Sequence, residues 1–220
     1  MVVDHIGYLF FPDLLFLRAI GRLTMPIMAF FAAEGFRKTR NIHKYLLRLL
    51  LFAVLSELPF CLVFHPGALG TFVHFYNVVY TILLGVAALW LGSLLPRKLV
   101  FLPYFLCAAL AEWVGSDWSW IGVLMIVAFY EANRNTDSLH PVNRIRSFTG
   151  LSLVYLLLIV SIFVSGDSSV NYINLFGLAS IVPLFAYNGK KGADIKYLFY
   201  IFYPAHLLIL YFICCTGRIT

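Results

Sequence analysis

Asp4 and His5 stand side by side at the start of an apolar segment. A histidine can act as a general base, and its neutral form suits an apolar site. A nearby carboxylate stabilises the protonated form. Adjacent residues on a helix point about 100° apart, so Asp4 is free to serve another partner, Arg22 among them. The same pair exposed at an interface would do no chemistry. Further ionisable groups fall inside apolar segments: Arg22, Glu34, Glu57, Glu112 and His206. Such groups cost about 3 kcal/mol each at a bilayer centre and mark functional sites by default.

Three of these, Arg22, Glu34 and His206, each have two readings. Arg22, in Gly21-Arg22-Leu23-Thr24-Met25-Pro26, falls near the outer end of a span, where it either joins a site or snorkels to the interface. Glu34 either serves a site or pairs with Lys38 at i+4. His206 follows Pro204, which frees a backbone carbonyl and can kink the helix, so it is either a satisfied structural group or a site group. Asn77 and Thr81 share a helix face and can bond between helices.

The elements that must position these residues are apolar and long. Of 220 residues, 62% are hydrophobic and 12% charged, about half the charge of a soluble domain. The apolar segments are read as 1–12, 20–36, 45–64, 77–95, 99–115, 119–131, 148–165, 171–187 and 196–215. A bilayer crossing takes about 20 such residues. The segment 45–64 is apolar nearly all round, as a helix buried in protein or lipid is. The expectation is an all-α, polytopic transmembrane bundle of about eight or nine spans forming a single integral membrane domain, residues 1–220. Pro96 and Pro141 punctuate loops, and Gly166-Asp167 and Asn188-Gly189 mark turns. The first segment is too short to span. It is either a half-span or the end of a longer stretch begun upstream, the second being preferred. Its start, Met1-Val2-Val3-Asp4-His5, lacks the basic region of a cleavable signal peptide.

Charge alternates between the loops. Arg37, Lys38, Arg40, Lys44 and Arg48 form one cluster, followed by Arg97 and Lys98, then Arg134, Arg144 and Arg146, then Lys190, Lys191 and Lys196. Together these are thirteen of the 16 lysines and arginines. The loops around 65–76, 115–118 and 166–171 have none. The positive-inside rule makes the basic set cytoplasmic, the N-terminus inside and the C-terminus outside. This distribution argues against nucleic acid as the partner of the net +6 charge and for the lipid bilayer. Asn41 suits an N-cap. Lys44 and Arg48 then oppose the dipole of the helix it opens, so a polyanion, either a nucleotide phosphate or lipid headgroups, would relieve the cluster. Cys61, Cys107, Cys214 and Cys215 lie in apolar runs without disulfide or zinc spacing, and read as packing residues with no metal.

Three segments in order carry a family resemblance: Val3-Asp4-His5-Ile6-Gly7, Gly21-Arg22-Leu23-Thr24-Met25-Pro26-Ile27-Met28-Ala29-Phe30 and Tyr200-Ile201-Phe202-Tyr203-Pro204-Ala205-His206-Leu207. With Glu34-Gly35-Phe36, Thr39-Arg40-Asn41, Lys44-Tyr45 and Tyr187-Asn188-Gly189 between them, the chain resembles the TraX family over nearly its whole length. The resemblance implies membrane-bound acetyl transfer, the family's named activity being N-acetylation of a pilin N-terminus, with acetyl-CoA as donor and no metal. It also implies kinship with transmembrane acyltransferases that use an intramembrane histidine. On that basis His5, with Asp4, is the leading catalytic candidate, and Arg22 and His206 are its partners. Arg37, Arg40, Lys44 and Arg48 become a coenzyme A phosphate site, and Glu34, Asn77 and Tyr203 acceptor contacts. The family's Asp-His follows a longer apolar stretch than the three residues here, so a chain beginning at Met1 would put His5 near the cytoplasmic face.

The expected activity is a membrane-embedded O- or N-acetyltransferase of the bacterial inner membrane, acting on a peptide, glycan or small-molecule acceptor. The alternatives are a transporter or flippase of a small polar or lipid-linked substrate, against which stands the lack of an inverted repeat, and a non-catalytic assembly protein.

Overall fold

A computed structural model describes residues 1–68, 75–134, 141–165, 172–190 and 196–217. Among the described residues the regular structure is all helical, with no strand. The helices are α1 (Val2–Phe10), α2 (Leu15–Arg22), α3 (Thr24–Lys38), α4 (Ile42–Phe64), α5 (Val78–Ser93), α6 (Phe101–Val114), α7 (Ser119–Asn133), α8 (Pro141–Ser165), α9 (Ile181–Ala186) and α10 (Lys196–Gly217). Among the described residues, three stretches are long and apolar enough to cross a membrane: Leu15–Lys38, Ile42–Phe64 and Arg144–Ile162.

Three boundaries differ from those expected. The second apolar segment starts at Leu15 rather than residue 20 and is jointed at Leu23, so Arg22 sits at a break between α2 and α3. Pro141 opens α8 instead of punctuating a loop; at a helix's first position its missing N–H would have no partner anyway. The segment 171–187 divides into a 3-10 helix, Tyr172–Ser180, and the short α9. Asn41 caps α4, accepting the Lys44 N–H at 2.9 Å, and Gly189 takes the left-handed conformation (φ 72°) of a turn. Gly166, Asp167 and Lys191 lie outside the described residues.

Helix α5 is central, packed against α3, α4, α6 and α7. Its residues Val79, Val86, Ala88 and Leu89 are fully buried. Small residues permit this closeness. A Cβ on Gly85 would stand 2.4 Å from Ile126 Cδ1, and one on Gly122 would stand 2.5 Å from Thr81 Cγ2 and 2.6 Å from Met25 Cε. Polar clasps fix the register. Glu57 on α4 accepts the N–H groups of Tyr76 (2.8 Å) and Asn77 (3.3 Å) and the Asn77 amide, so it closes the N-terminus of α5. Asn77 also donates to Ala53 O at 2.9 Å and caps Val79 N–H at 3.0 Å. Thr81 bonds Ser116 and the Asp117 carbonyl.

The basic segments meet at one end. Glu34 holds Arg37 at 2.5 Å and Lys38 at 3.0 Å, Glu131 holds Arg97 at 2.9 Å, and Arg144 donates to the carbonyls of Phe185 and Tyr187. The opposite end gathers α1, α2, the end of α4 and the turn between α6 and α7. Helix α1 is antiparallel to α2. Gly7 lies against Leu17 and Arg18, and a Cβ on Gly21 would stand 2.1 Å from Asp4 Cβ.

Replacing Gly122 by Val forces side chains of three helices apart, an overpacking cost of about 1–3 kcal/mol or more. Thermal unfolding in detergent is expected to show a lower Tm for Gly122→Val and an unchanged Tm for Gly67→Ala, whose added methyl meets nothing within 4 Å.

Candidate functional site

Asp4 leaves α1 toward α2, where Arg18 and Arg22 lie one turn apart on the same face. Arg18 Nη1 stands 3.0 Å from Asp4 Oδ1, and Arg22 Nη1 3.9 Å from Oδ2. All three side chains are about 15% exposed. An ion pair this buried is costly to break, because removing one partner strands a charge. Arg18 also covers the Tyr8 ring at 5.0 Å, and Arg22 covers the Trp118 ring at 5.5 Å.

His5, the next residue, points elsewhere. Its ring lies 4.9 Å from that of Phe64 at the end of α4 and stacks on His206 of α10, with centroids 5.5 Å apart and planes 16° from parallel. Both histidines are buried, at 9% and 6% exposure. His206 Nδ1 lies 2.8 Å from the Phe202 carbonyl, one turn back. A carbonyl only accepts, so Nδ1 carries the proton and neutral His206 presents a lone pair at Nε2. The Nε2 atoms of His5 and His206 are both buried without a hydrogen-bond partner. The carbonyl that His206 engages is not that of Tyr200, which Pro204 leaves without its helical amide.

Asp4 and His5 line an open cavity of about 180 Å³, with Arg18, Arg22, His65 and Asp117. A narrower pocket of about 20 Å³ continues from Asp4 and His5 along Gly21, Thr24, Met25 and Met28 to Tyr203. It follows α3, which leads toward the basic end. His206 lines neither and sits behind His5. The turn carrying Asp117 is strained: Trp118 and Ser119 have positive φ (61° and 39°), a cost of order 1–3 kcal/mol each that clusters at functional sites. The Asp117 N–H donates to Tyr76 O at 2.9 Å, which holds the turn in place.

The other sequence candidates lie apart from this cavity. Glu34 is buried at the basic end in its pairs with Arg37 and Lys38. Asn77 spends its side-chain amide on Glu57, Ala53 and Val79. Glu112 is exposed and bonded to Ser119. Arg40, Lys44 and Arg48 are exposed on the basic end, Arg48 lying 5.9 Å from the Tyr45 ring. Sixteen residues of α4 separate Arg48 from Phe64, so the basic cluster lies about 24 Å from His5. His5 is thus at the end opposite the basic loops.

Sequence reasoning missed Arg18, Asp117, Trp118 and His65. Arg18 had a signal, the i,i+4 spacing to Arg22 that puts both on one face. Asp117 had none beyond being a lone carboxylate in a cation-free loop.

Burial pushes the Asp117 carboxyl up to about 6, opposed by Arg22 and Arg18 and reinforced by Asp4. Below that pH the group is neutral and the cavity gains positive charge. Trp118 adjoins Asp117 and carries Arg22 on its face, so its emission is expected to change with an inflection near pH 6. Asp117→Asn should remove the inflection; a persistent one would assign it to another group.

Two of the similarities to known proteins run along nearly the whole chain. The TraX family profile, described as "TraX protein", matches residues 1–214. A probable fimbrial assembly protein FimC, serogroup H1, of Dichelobacter nodosus is 34% identical over 231 residues, covering 96% of this chain and 89% of that protein. An uncharacterized protein of Rickettsia prowazekii is 47% identical over 45 residues, 19% of this chain and 18% of its own. No solved structure matches. The profile spans all the elements that build the cavity, from α1 to α10, and on that ground the chain belongs to the TraX family.

Proposed function

We propose that the chain is a membrane-embedded acyltransferase, moving an acetyl group from acetyl-CoA to an amine or hydroxyl of a peptide, glycan or small molecule. The observation that carries this is His5: a buried imidazole with an unpartnered Nε2, lining a polar cavity beside Arg22. In the proposed step the acceptor's nitrogen or oxygen attacks the thioester carbonyl carbon while its proton passes to His5. The tetrahedral oxyanion is met by Arg22. The C–S bond then breaks, and the departing thiolate takes the proton from the imidazolium and leaves as coenzyme A thiol. Neutral His206 presents a lone pair at Nε2, which cannot donate to an oxyanion. We assign it as a positioning residue whose ring holds that of His5.

The orientation belongs to the same proposal. With the basic loops cytoplasmic, Arg37, Arg40, Lys44 and Arg48 would receive the coenzyme A phosphates from the compartment that holds the donor. The pocket along Thr24, Met25 and Met28 supports a path for the thioester arm, with Tyr203 beside it. The cavity mouth would then take the acceptor from the outer side of the bacterial inner membrane. The number of complete crossings, eight or nine, is part of this reading. The name of the Dichelobacter relative, a probable fimbrial assembly protein, favours pilus subunits as one acceptor class and equally supports a second reading, an assembly role without chemistry.

General-base removal costs about 10²–10⁴-fold in rate. His5→Ala is expected to lose acetyl transfer by that factor, measured as thiol release and as a product heavier by one acetyl group, with the Tm retained. His206→Phe, which keeps a flat ring against His5, is expected to keep most of the activity that His206→Ala loses. Full activity in His5→Ala would overturn the assignment. Substrate uptake without thiol release would favour transport, and pilus assembly unaffected by His5→Ala and Arg22→Gln would favour the assembly reading.

A further inference from the structure

A second feature, independent of acetyl transfer, lies on the opposite side of the bundle. Helices α6 and α8 both pack on α7 and splay apart over it, leaving an apolar groove of about 780 Å³. Its walls are Phe101 and Phe105 of α6 and Leu153 and Leu157 of α8, and its floor includes Ala128 and Ala132 of α7. The floor is shallow because small residues meet there: a Cβ on Gly150 would stand 3.3 Å from Ala128 Cβ. Phe101, Phe105 and Leu153 are each more than half exposed.

The groove is apolar at depth and cationic at its mouth. Arg146 and Thr149 stand at its basic end with Glu131. Glu131 is fixed by Tyr104 Oη at 2.8 Å, Arg97 at 2.9 Å and Arg134 at 3.7 Å. Arg97 and Arg134 pair with that carboxylate, and Lys98 and Arg146 lie at the same end, so among the described residues there positive charge is in surplus. Arg146 is exposed. From Arg146 to Leu157 the groove runs eleven residues, about 16 Å of helix. Half of a hydrocarbon core of about 30 Å is about 15 Å. Groove length, apolar walls and a cationic rim together match one leaflet's lipid: acyl chain along α7, phosphate at Arg146 and its neighbours.

We propose that this groove is a binding site for one anionic phospholipid of the leaflet on the basic side. A second copy of the chain would need an apolar helix there and would leave the cationic rim without counter-charge, so the rim favours the lipid.

Native mass spectrometry of the purified full chain, titrated with phosphatidylglycerol or with phosphatidylcholine of matched chains, tests this. A cation near the net negative charge of an anionic lipid, which phosphatidylcholine lacks, contributes about 1 kcal/mol, roughly fivefold in affinity. The first adduct is expected to favour phosphatidylglycerol by at least about fivefold on that scale. Arg146→Gln, a change to an exposed side chain, should bring the preference down toward parity. Ala132→Phe, which fills the floor, should weaken both lipids. Equal binding of the two lipids by the unmodified chain overturns the proposal. So does an Arg146→Gln variant with undiminished preference, or an Ala132→Phe variant that binds lipid unchanged. Loss of a dimer in Ala132→Phe with lipid binding intact would instead assign the groove to a second copy.

Discussion

A carboxylate cannot lie unpaired in an apolar helix bundle, and at Asp4 that constraint shapes the site. Its charge is met by Arg18 at 3.0 Å and Arg22 at 3.9 Å, both from α2. That requirement folds α1 back against α2. Gly7 and Gly21 make the fold possible, since any side chain at Gly21 would occupy the space of Asp4 itself. The pairing decides where His5 goes. With Asp4 turned toward α2, the next side chain turns about 100° away and enters the space between Phe64 and His206. The ion pair places the histidine without touching it.

The rest of the bundle serves this arrangement through polar clasps rather than through the apolar core alone. In lipid, apolar burial does little to choose one helix pairing over another, and bonds between helices and close packing do more. Glu57 and Asn77 register α4 against α5, and Thr81 holds the turn of Ser116 and Asp117. That turn delivers Asp117 to the cavity and Trp118 to the face of Arg22. The two polar ends of the molecule are thereby about 24 Å apart along α4. A donor bound by its phosphates at one end and reacting at the other must send its thioester arm through the bundle, and the pocket along α3 is where room for it begins.

Much of this was legible in the residues, and the failures have physical reasons. Every expected apolar segment contains helix, because runs of this length and composition have few other ways to satisfy their backbones in an apolar medium. Boundaries were less legible. Arg18 interrupts apolarity at α2, so the segment read as starting after it, although the charge is absorbed by Asp4. Pro141 read as a breaker although it starts a helix. Within the site, Asp4, His5, Arg22 and His206 were singled out by being polar in apolar runs, and they do converge. Glu34 met the same criterion and serves the basic end instead, as its i,i+4 spacing to Lys38 allowed. Asp117 and Trp118 were not legible, since their role comes from a turn whose positive φ angles no residue type there announces.

The central claim is the convergence of His5 and His206 at the end away from the basic loops. Disulfide cross-linking in native membranes tests it directly, with His5→Cys paired with His206→Cys after the four native cysteines are replaced by serine. The rings stack with centroids 5.5 Å apart, so this pair is expected to cross-link under mild oxidation, and a pair of His5→Cys with Lys44→Cys, at the far end of α4, should give none. Failure of the first pair to cross-link, or efficient cross-linking of the second, would contradict the account.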